Sequence, residues 1–344
     1  MAQAEGVNGP DRTGLRMVRA IAAGLSALLL SVLAPPVAAG AAGEPTRFAV
    51  IATTQGSEPD TSANFIRLYE RSRAQFGAPI GIRLFSPGQL PLASDRSANG
   101  EILTWAAREH PEEIITVSHK TRDEARLGRF LDWVLDHRLR VSVIYFHEVQ
   151  DDWFGPPEKR VLGAEPENYK AAYRAYRSVI AAHRAASQVT LEKNLTWYWQ
   201  HYRAKTKGGD WHAYVEAGDP ADVLSWDTYV FPGMPRAQGR YATPDEFFRY
   251  PRDAWVQYGL AWGVGELGTA VERGWDPDGT VFAAWVQKVT AAAADPARIA
   301  ASYRGMPPAK FVKWWHGKDA KDVDLSLDQN GAALAAYRAR VLAS

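Results

Sequence analysis

Apolar positions in this chain fall into short continuous runs that alternate with longer stretches of helical periodicity. The runs predict eight strands, over Arg47–Thr53, Ile80–Phe85, Glu113–Ser118, Val141–Phe146, Asn194–Trp199, Val223–Val230, Ala261–Gly265 and Lys310–Trp315. Val141–Phe146 is the clearest of these, because an uninterrupted apolar run is typical of a strand that is buried on both faces of a parallel sheet.

The intervening stretches predict amphipathic helices. They cover Ala63–Phe76, Glu101–Glu109, Arg122–His137, Pro166–Ala186, Pro244–Tyr258, Thr280–Ala294 and Asn330–Leu342. Strands that alternate with helices indicate an α/β protein with parallel strands and crossover helices. Eight strands suffice to close a (β/α)₈ TIM barrel. A doubly wound open sheet is the alternative, although it favours fewer strands and a glycine-rich phosphate-binding turn.

Residues 1–42 have the pattern of a secretory signal peptide. Met17, a possible alternative start, opens a short basic stretch, Ile21–Leu33 is apolar, and small residues follow up to Ala42. The apolar run is shorter than the about 20 residues that cross a bilayer, and a retained membrane anchor is the alternative. We therefore expect a secreted, extracellular protein with a single barrel domain over residues 45–344.

Composition narrows the possible partners. The net charge of +1 gives no reason to expect nucleic acid or an anionic membrane as a partner. The chain has no cysteine, and a domain of this size does not need disulfides. It has 13 Trp and 14 Tyr residues, whose aromatic faces can pack against sugar rings or fill a protein core.

Acidic side chains follow two of the predicted strands. His147 and Glu148 come directly after the fourth strand, and Glu266 comes directly after the seventh. Barrel enzymes build their active sites at the C-terminal ends of the strands, so we expect these two carboxylates to face a common space. Either glutamate taken singly could instead form a buried ion pair with an arginine such as Arg83.

Such a pair of carboxylates fits glycoside hydrolysis. One carboxylic acid protonates the leaving oxygen while the second attacks the anomeric carbon, and a separation of roughly 5–5.5 Å gives retention of configuration. The acid must keep its proton near neutral pH, so burial and the neighbouring negative charge must raise its pKa. This chemistry needs no cofactor and no metal.

Several segments together resemble glycoside hydrolase family 26, the β-mannanase family. They are Ile144–Glu148 (IYFHE), Trp153 shortly after it, the helix over Tyr169–Ile180, Ser225–Tyr229 (SWDTY) and Gly265–Gly268 (GELG). The resemblance covers most of residues 45–344 in order, and the specific matches are the three strand ends.

The resemblance implies roles for individual residues. Glu148 would be the acid/base, Glu266 the nucleophile, His147 a contact of the sugar at the cleavage point, and Tyr229 a hydrogen-bond donor to the nucleophile. The segment Val149–Asp152 departs from the family pattern, so the resemblance does not define the acid-side subsites or a specificity for mannan.

Histidines also follow predicted strands. His119, His201 and His316 come after strands three, five and eight, and with His147 they could bind a divalent metal. The alternative is that they hydrogen-bond sugar hydroxyls or the catalytic carboxylates. We favour it, because the His-x-His strand end of metal-dependent barrel hydrolases is absent.

Five tryptophans are candidates for stacking on sugar rings, with core packing as the alternative for each. They are Trp153, Trp199, Trp262, Trp314 and Trp315. Because side chains alternate along a strand, only one of the last two should face the mouth of the barrel.

Two charged residues complete the candidate substrate site. Asp227 could be a third acid, although a structural role that holds an arginine or a turn is favoured. We expect Arg83 to tune a carboxylate rather than to bind an anionic substrate.

The sequence thus predicts a monomeric, retaining endo-β-glycanase that hydrolyses a polysaccharide or oligosaccharide such as β-mannan. A carbohydrate-binding barrel without activity and a metal-dependent barrel hydrolase are the alternatives.

Overall fold

The computed structural model describes residues 44–52, 59–77, 79–230, 239–319 and 323–344. The predicted signal peptide lies outside the described residues. Eight strands are present in this part: β1 (Arg47–Ala52), β2 (Ile82–Phe85), β3 (Ile114–His119), β4 (Arg140–Tyr145), β5 (Val189–Thr196), β6 (Val223–Tyr229), β7 (Trp262–Gly268) and β8 (Phe311–His316).

Ten α-helices lie between and after these strands in the described part. They are α1 (Ser62–Phe76), α2 (Ala98–Glu109), α3 (Glu124–Asp136), α4 (Val149–Phe154), α5 (Pro166–Ala182), α6 (Trp197–Tyr202), α7 (Ala204–Lys207), α8 (Pro244–Tyr258), α9 (Thr280–Ala294) and α10 (Gly331–Leu342). None of the described helices is long and apolar enough to cross a bilayer.

The strands form one parallel sheet that nearly closes into a barrel. Their order is β1-β8-β7-β6-β5-β4-β3-β2, and β1 pairs with β8. The N–H of Val50 in β1 donates to the carbonyl of Ile80, just before β2, at 2.8 Å, which brings the two ends of the sheet together. The prediction of eight parallel strands in a (β/α)₈ barrel is confirmed.

Apolar side chains fill the layer between strands and helices. Val117, Val143 and Trp314 are fully buried there. Tyr337 of α10 reaches into the same layer, where its hydroxyl donates to the carbonyls of Ala49 and Val312. This continuous outer core holds the barrel rigid, and the positions of the strand-end side chains depend on it.

The barrel interior is polar. Glu192 of β5 accepts hydrogen bonds from Ser142 of β4 (2.7 Å), Ser225 of β6 (2.6 Å) and Lys313 of β8 (2.9 Å). The Glu192 side chain can contact β4, β6 and β8 at once only if it points into the interior of the barrel. Burial favours a raised pKa for Glu192, but the charges of Lys313 and Arg83 and the hydroxyl hydrogen bonds outweigh it, and the pKa is lowered. A charged network therefore stands below the C-terminal face.

The predicted position of strand five is wrong. The strand ends at Thr196, and the aromatic residues from Trp197 onward form α6 instead. The start of the strand was not predicted, because the run Glu192-Lys193-Asn194 is polar and does not match the apolar pattern of a buried strand. All three residues are nevertheless fully buried. They tolerate burial because each has partners: the ammonium of Lys193, for example, pairs with Asp219 on the outer side.

Candidate active site

Glu148 lies in a tight turn directly after β4. Phe146 and Glu148, on either side of His147, have left-handed backbone conformations with φ of 57° and 54°. Such values are costly for residues with a Cβ and are often found at functional sites. The N–H of Glu148 donates to Oδ1 of Asn194 on β5 at 3.3 Å, which helps to hold the turn in place.

The surroundings of Glu148 favour its protonated form. Burial, followed by the negative charges of Glu266 and Asp151, raises the pKa of Glu148 to about 8, against the opposing charge of Lys120. The Lys120 ammonium is itself paired with Asp152 at 2.5 Å, which limits this opposition. Glu148 therefore has the protonation state that a general acid needs near neutral pH.

Glu266 accepts hydrogen bonds from two side chains of the site. It lies within β7, opposite Asp227 of β6, and is 5% exposed. Its Oε2 accepts a hydrogen bond from the Tyr229 hydroxyl at 2.6 Å, and its Oε1 accepts one from Nη2 of Arg83 at 3.3 Å. One donor is thus a guanidinium and the other a phenol, and each contacts a different oxygen of the Glu266 carboxylate. The buried ion pair considered from the sequence is thus present at Glu266.

Asn194 connects the two sides of the site, and sequence reasoning did not select it. Its amide Nδ2 donates to Oδ1 of Asp227 at 2.7 Å and to Oγ of Ser225 at 3.0 Å, while its Oδ1 accepts from Glu148. A Cβ at position 265 would lie 2.5 Å from the Asn194 amide, so Gly265 leaves the space that this network occupies. The predicted strand boundary placed Asn194 at the wrong end of a strand.

Asp227 contacts an amide rather than the arginine or turn expected for it. It is fully buried, and burial together with the charges of Glu266 and Glu148 raises its pKa well above the ordinary value. Its Oδ2 has no hydrogen-bond partner among the described residues. Burial and the two neighbouring carboxylates therefore favour the protonated form of Asp227.

Aromatic residues surround the upper part of the site. The His147 ring meets the Phe85 ring edge-on at 5.3 Å, and burial and the charge of Arg83 lower the pKa of His147 well below its ordinary value. Trp315 packs against Phe85 (5.8 Å) and Tyr229 (6.2 Å). Trp315 thus faces this side of the barrel, whereas Trp314 faces the outer core.

The structure does not bring the four histidines together. His119 stacks on Tyr176 of α5 at 5.6 Å, and His316 accepts a hydrogen bond from the N–H of Leu327. Within the described ranges, no group of three or more His, Cys, Asp or Glu side chains is arranged to hold a metal. The sugar or carboxylate contacts predicted for His119 do not fit this outward position.

His201 is not at a strand end, because β5 ends at Thr196, five residues before it. It lies in α6 and stacks on Trp197 at 4.4 Å. The strand-end position predicted for His201 is therefore wrong, and its contact with substrate stays a prediction.

Three of the five tryptophans belong to the core. Trp199, Trp262 and Trp314 are buried, and their indole N–H groups donate to the carbonyls of Gly208, Pro307 and Leu325. The stacking role predicted for Trp199 does not fit this position. Trp153 in α4 is partly buried, and the Arg160 guanidinium covers its ring at 5.3 Å.

Solved structures of several glycosidases share this fold. β-Glycosidase BGL167 has a TM-score of 0.54 at 15% identity, covering 84% of this chain and 89% of that one. The catalytic domain of the family 26 endo-β-1,4-mannanase from Bacillus sp. JAMB-750 has a TM-score of 0.51 at 11% identity, covering 87% and 86%. A β-mannanase from a symbiotic protist of the termite Reticulitermes speratus, in complex with a gluco-manno-oligosaccharide, has a TM-score of 0.50 at 13% identity, covering 87% of each chain.

At these identities the similarity establishes a shared fold. The resemblance to family 26 is confirmed at that level. No family model matches the sequence, and no curated protein matches it.

Proposed function

We propose that this protein is a secreted, retaining glycoside hydrolase that cleaves β-glycosidic bonds in a β-mannan or a related β-glycan. The observation that carries the proposal is a pair of glutamates with different hydrogen-bonding and electrostatic surroundings at the C-terminal face of the barrel. Glu148 is held protonated, and Glu266 accepts hydrogen bonds from Arg83 and Tyr229. Acid and nucleophile in retaining glycosidases need this difference.

In the first step, the Glu266 carboxylate attacks the anomeric carbon and the glycosidic C–O bond breaks. Glu148 gives its proton to the departing oxygen, so the leaving sugar is released as a neutral alcohol. A covalent glycosyl-enzyme ester remains on Glu266.

In the second step, Glu148 acts as a base. Once Glu266 is esterified, its negative charge no longer raises the pKa of Glu148, so Glu148 is left as a carboxylate that can take a proton from water. The water oxygen attacks the anomeric carbon, the ester bond breaks, and Glu266 recovers its charge. Two inversions restore the original β configuration.

Two considerations support a glycan as the substrate. The similar structures are an endo-β-1,4-mannanase, a β-mannanase and a β-glycosidase. Beside Glu266, the Tyr229 ring is partly exposed, and such a ring can pack against the apolar face of a sugar.

The test of activity is a panel of β-glycans, with β-mannan and glucomannan among them, scored for new reducing ends. Wild type should hydrolyse at least one of them, and Glu148→Ala and Glu266→Ala should each lose most of that activity. Glu158→Ala, an exposed glutamate in the turn after α4, is the matched control and should keep it. A wild type that binds a glycan but never releases reducing ends would indicate a binding protein instead.

Secretion has a separate test. Expression of the full chain with its own N-terminus should yield an exported protein whose first residue, determined by mass spectrometry, lies just after Ala39 or Ala42. Retention of residues 1–42 on the mature chain would contradict this part of the proposal.

A further inference from the structure

A cavity of about 460 Å³ lies at the N-terminal end of the barrel, opposite the candidate active site. Its wall is formed by the first residues of strands β1 to β5 and β8, together with Glu44 and Pro45 just before β1. A water molecule in the liquid takes about 30 Å³, so the cavity has room for roughly fifteen waters or for a small hydrated ion. Apart from Arg83, which donates to Glu266 from the inner end of the cavity, no residue of this wall has a part in the proposed hydrolysis.

Positive side chains dominate the wall. Among its described residues, five are cationic and one, Glu44, is a carboxylate; the cationic residues are Arg47, Arg83, Arg140, Lys310 and Lys313. Hydroxyl groups of Thr116, Ser142 and Thr190 also line the cavity. The wall therefore offers many hydrogen-bond donors and few acceptors.

Nearby carboxylates balance four of the five positive charges. The pairs are Arg47 with Glu113 (3.6 Å), Arg83 with Glu266 (3.3 Å), Lys310 with Glu44 (3.6 Å) and Lys313 with Glu192 (2.9 Å). Arg140 has no carboxylate partner in the described part of the chain, and its guanidinium donates to the backbone carbonyl of Glu112 at 3.1 Å. One positive charge is thus left over at the cavity.

Two of the cationic groups, Arg47 and Arg140, are close enough for each positive charge to disfavour the charged form of the other. Burial lowers the pKa of Arg47, and the charge of Arg140 adds to this effect against the opposing charge of Glu113. At the inner end, Arg83 is 4% exposed, and its Nε and Nη1 have no hydrogen-bond partner among the described residues. A buried guanidinium with unused donors is costly. A negative charge in the cavity would offset the repulsion between Arg47 and Arg140 and would accept hydrogen bonds from Arg83.

We propose that this cavity binds a small tetrahedral oxyanion of the phosphate or sulfate type. Arg47, Arg140 and Lys310 would hold it at the outer side, with Arg83 behind. Guanidinium groups suit such a ligand, because their planar donors match two oxygens of one oxyanion at a time. Arg83 also donates to Glu266, so the test below changes Arg140 and Lys310, which have no part in the proposed hydrolysis.

The test is isothermal titration calorimetry of the whole protein with sodium phosphate and, separately, with sodium sulfate, at an ionic strength fixed by sodium chloride. Wild type should show saturable binding of at least one oxyanion. The variant Arg140→Gln/Lys310→Gln should bind at least about tenfold more weakly, the factor expected for loss of a charge-assisted hydrogen bond. Arg298→Gln, which removes an exposed arginine paired with Asp295, is the control and should bind as wild type does.

A gain of binding gives a second test that a misfolded variant cannot imitate. Glu44→Gln removes the one carboxylate of the described wall, and its side chain is 86% exposed, so the fold should tolerate the change. We expect this variant to bind the oxyanion more tightly, by about two- to fivefold for one surface charge. Absence of saturable binding in wild type would overturn the proposal. So would equal affinity in wild type and in the Arg140→Gln/Lys310→Gln and Glu44→Gln variants.

Discussion

Replacing Glu148 with glutamine should stabilise the folded protein, and the gain should increase as the pH rises from about 4.5 to about 8. Burial and the charges of Glu266 and Asp151 raise the pKa of Glu148 from 4.5 to about 8 in the folded state. Between these values the unfolded chain releases a proton that the folded chain keeps, so the stability of wild type falls as the pH rises. A glutamine side chain does not ionise and avoids this loss.

The size of the effect follows from the two pKa values. One pKa unit corresponds to 1.36 kcal/mol, so a change from 4.5 to about 8 gives a ceiling of about 5 kcal/mol. The side chain of Glu148 is only partly buried and is screened by water, so we expect about half of this, ~2.5 kcal/mol, at pH 8. Below pH 4.5 both states are protonated and the difference should vanish.

The assay is urea unfolding followed by tryptophan fluorescence at pH 4, 6 and 8. The free energy of unfolding of Glu148→Gln should match that of wild type at pH 4 and exceed it by ~2.5 kcal/mol at pH 8. Glu158→Gln, at an exposed position, should show no such trend. A difference between Glu148→Gln and wild type that stays constant with pH would refute the burial of a protonated acid at this position.

Three further substitutions test the surroundings of the site. Tyr229→Phe keeps the ring but removes the 2.6 Å hydrogen bond to the nucleophile; we expect a kcat/KM about 10- to 100-fold lower on any glycan that wild type hydrolyses, with unchanged thermal unfolding. Lys313→Met leaves Glu192 charged and buried without its 2.9 Å partner, so urea unfolding should show a loss of about 3–5 kcal/mol, largely recovered in Lys313→Met/Glu192→Gln. Gly265→Ala puts a methyl group 2.5 Å from the amide of Asn194; the same assay should show a loss of about 1–3 kcal/mol, and an unchanged stability would contradict the packing described for the network.

Much of the fold follows from short-range patterns in the sequence. Val141–Phe146 predicts a buried strand, and the structure has β4 at Arg140–Tyr145. The helix predicted over Pro244–Tyr258 has the same bounds as α8. Such elements are predictable because their burial depends on apolar side chains alone.

Strand β5 was not predictable in the same way. From its sequence neighbours alone, Glu192 is expected to lie at the surface. It can be buried because the side chain of Lys313, 121 residues later, reaches across the barrel and pairs with it. The same long-range dependence hid the role of Asn194, whose partners Glu148 and Asp227 lie 46 and 33 residues away. Sequence patterns predict which residues form a strand. The hydrogen-bond and ion-pair partners of those residues depend on which strands the closed barrel brings together.

Around Glu148 and Glu266, too, some features follow from local sequence patterns and others depend on long-range contacts. Glu148 and Glu266 are identifiable from the sequence because they follow apolar runs. The sequence does not show that Arg83, 183 residues before Glu266, donates to its carboxylate. The sequence also does not show that His119 and Trp199 pack among the helices. The alternation of polar and apolar residues around them is equally compatible with side chains that face the mouth of the barrel.

The roles of the two glutamates can be measured directly by azide rescue on an activated β-glycoside of a sugar that wild type hydrolyses. With Glu148→Ala, azide should attack the glycosyl-enzyme on Glu266 and give a glycosyl azide of β configuration. With Glu266→Ala, azide should take the place of the nucleophile and give the α configuration. The account predicts this pair of opposite products by NMR; the reverse assignment, or the same anomer from both variants, would contradict it.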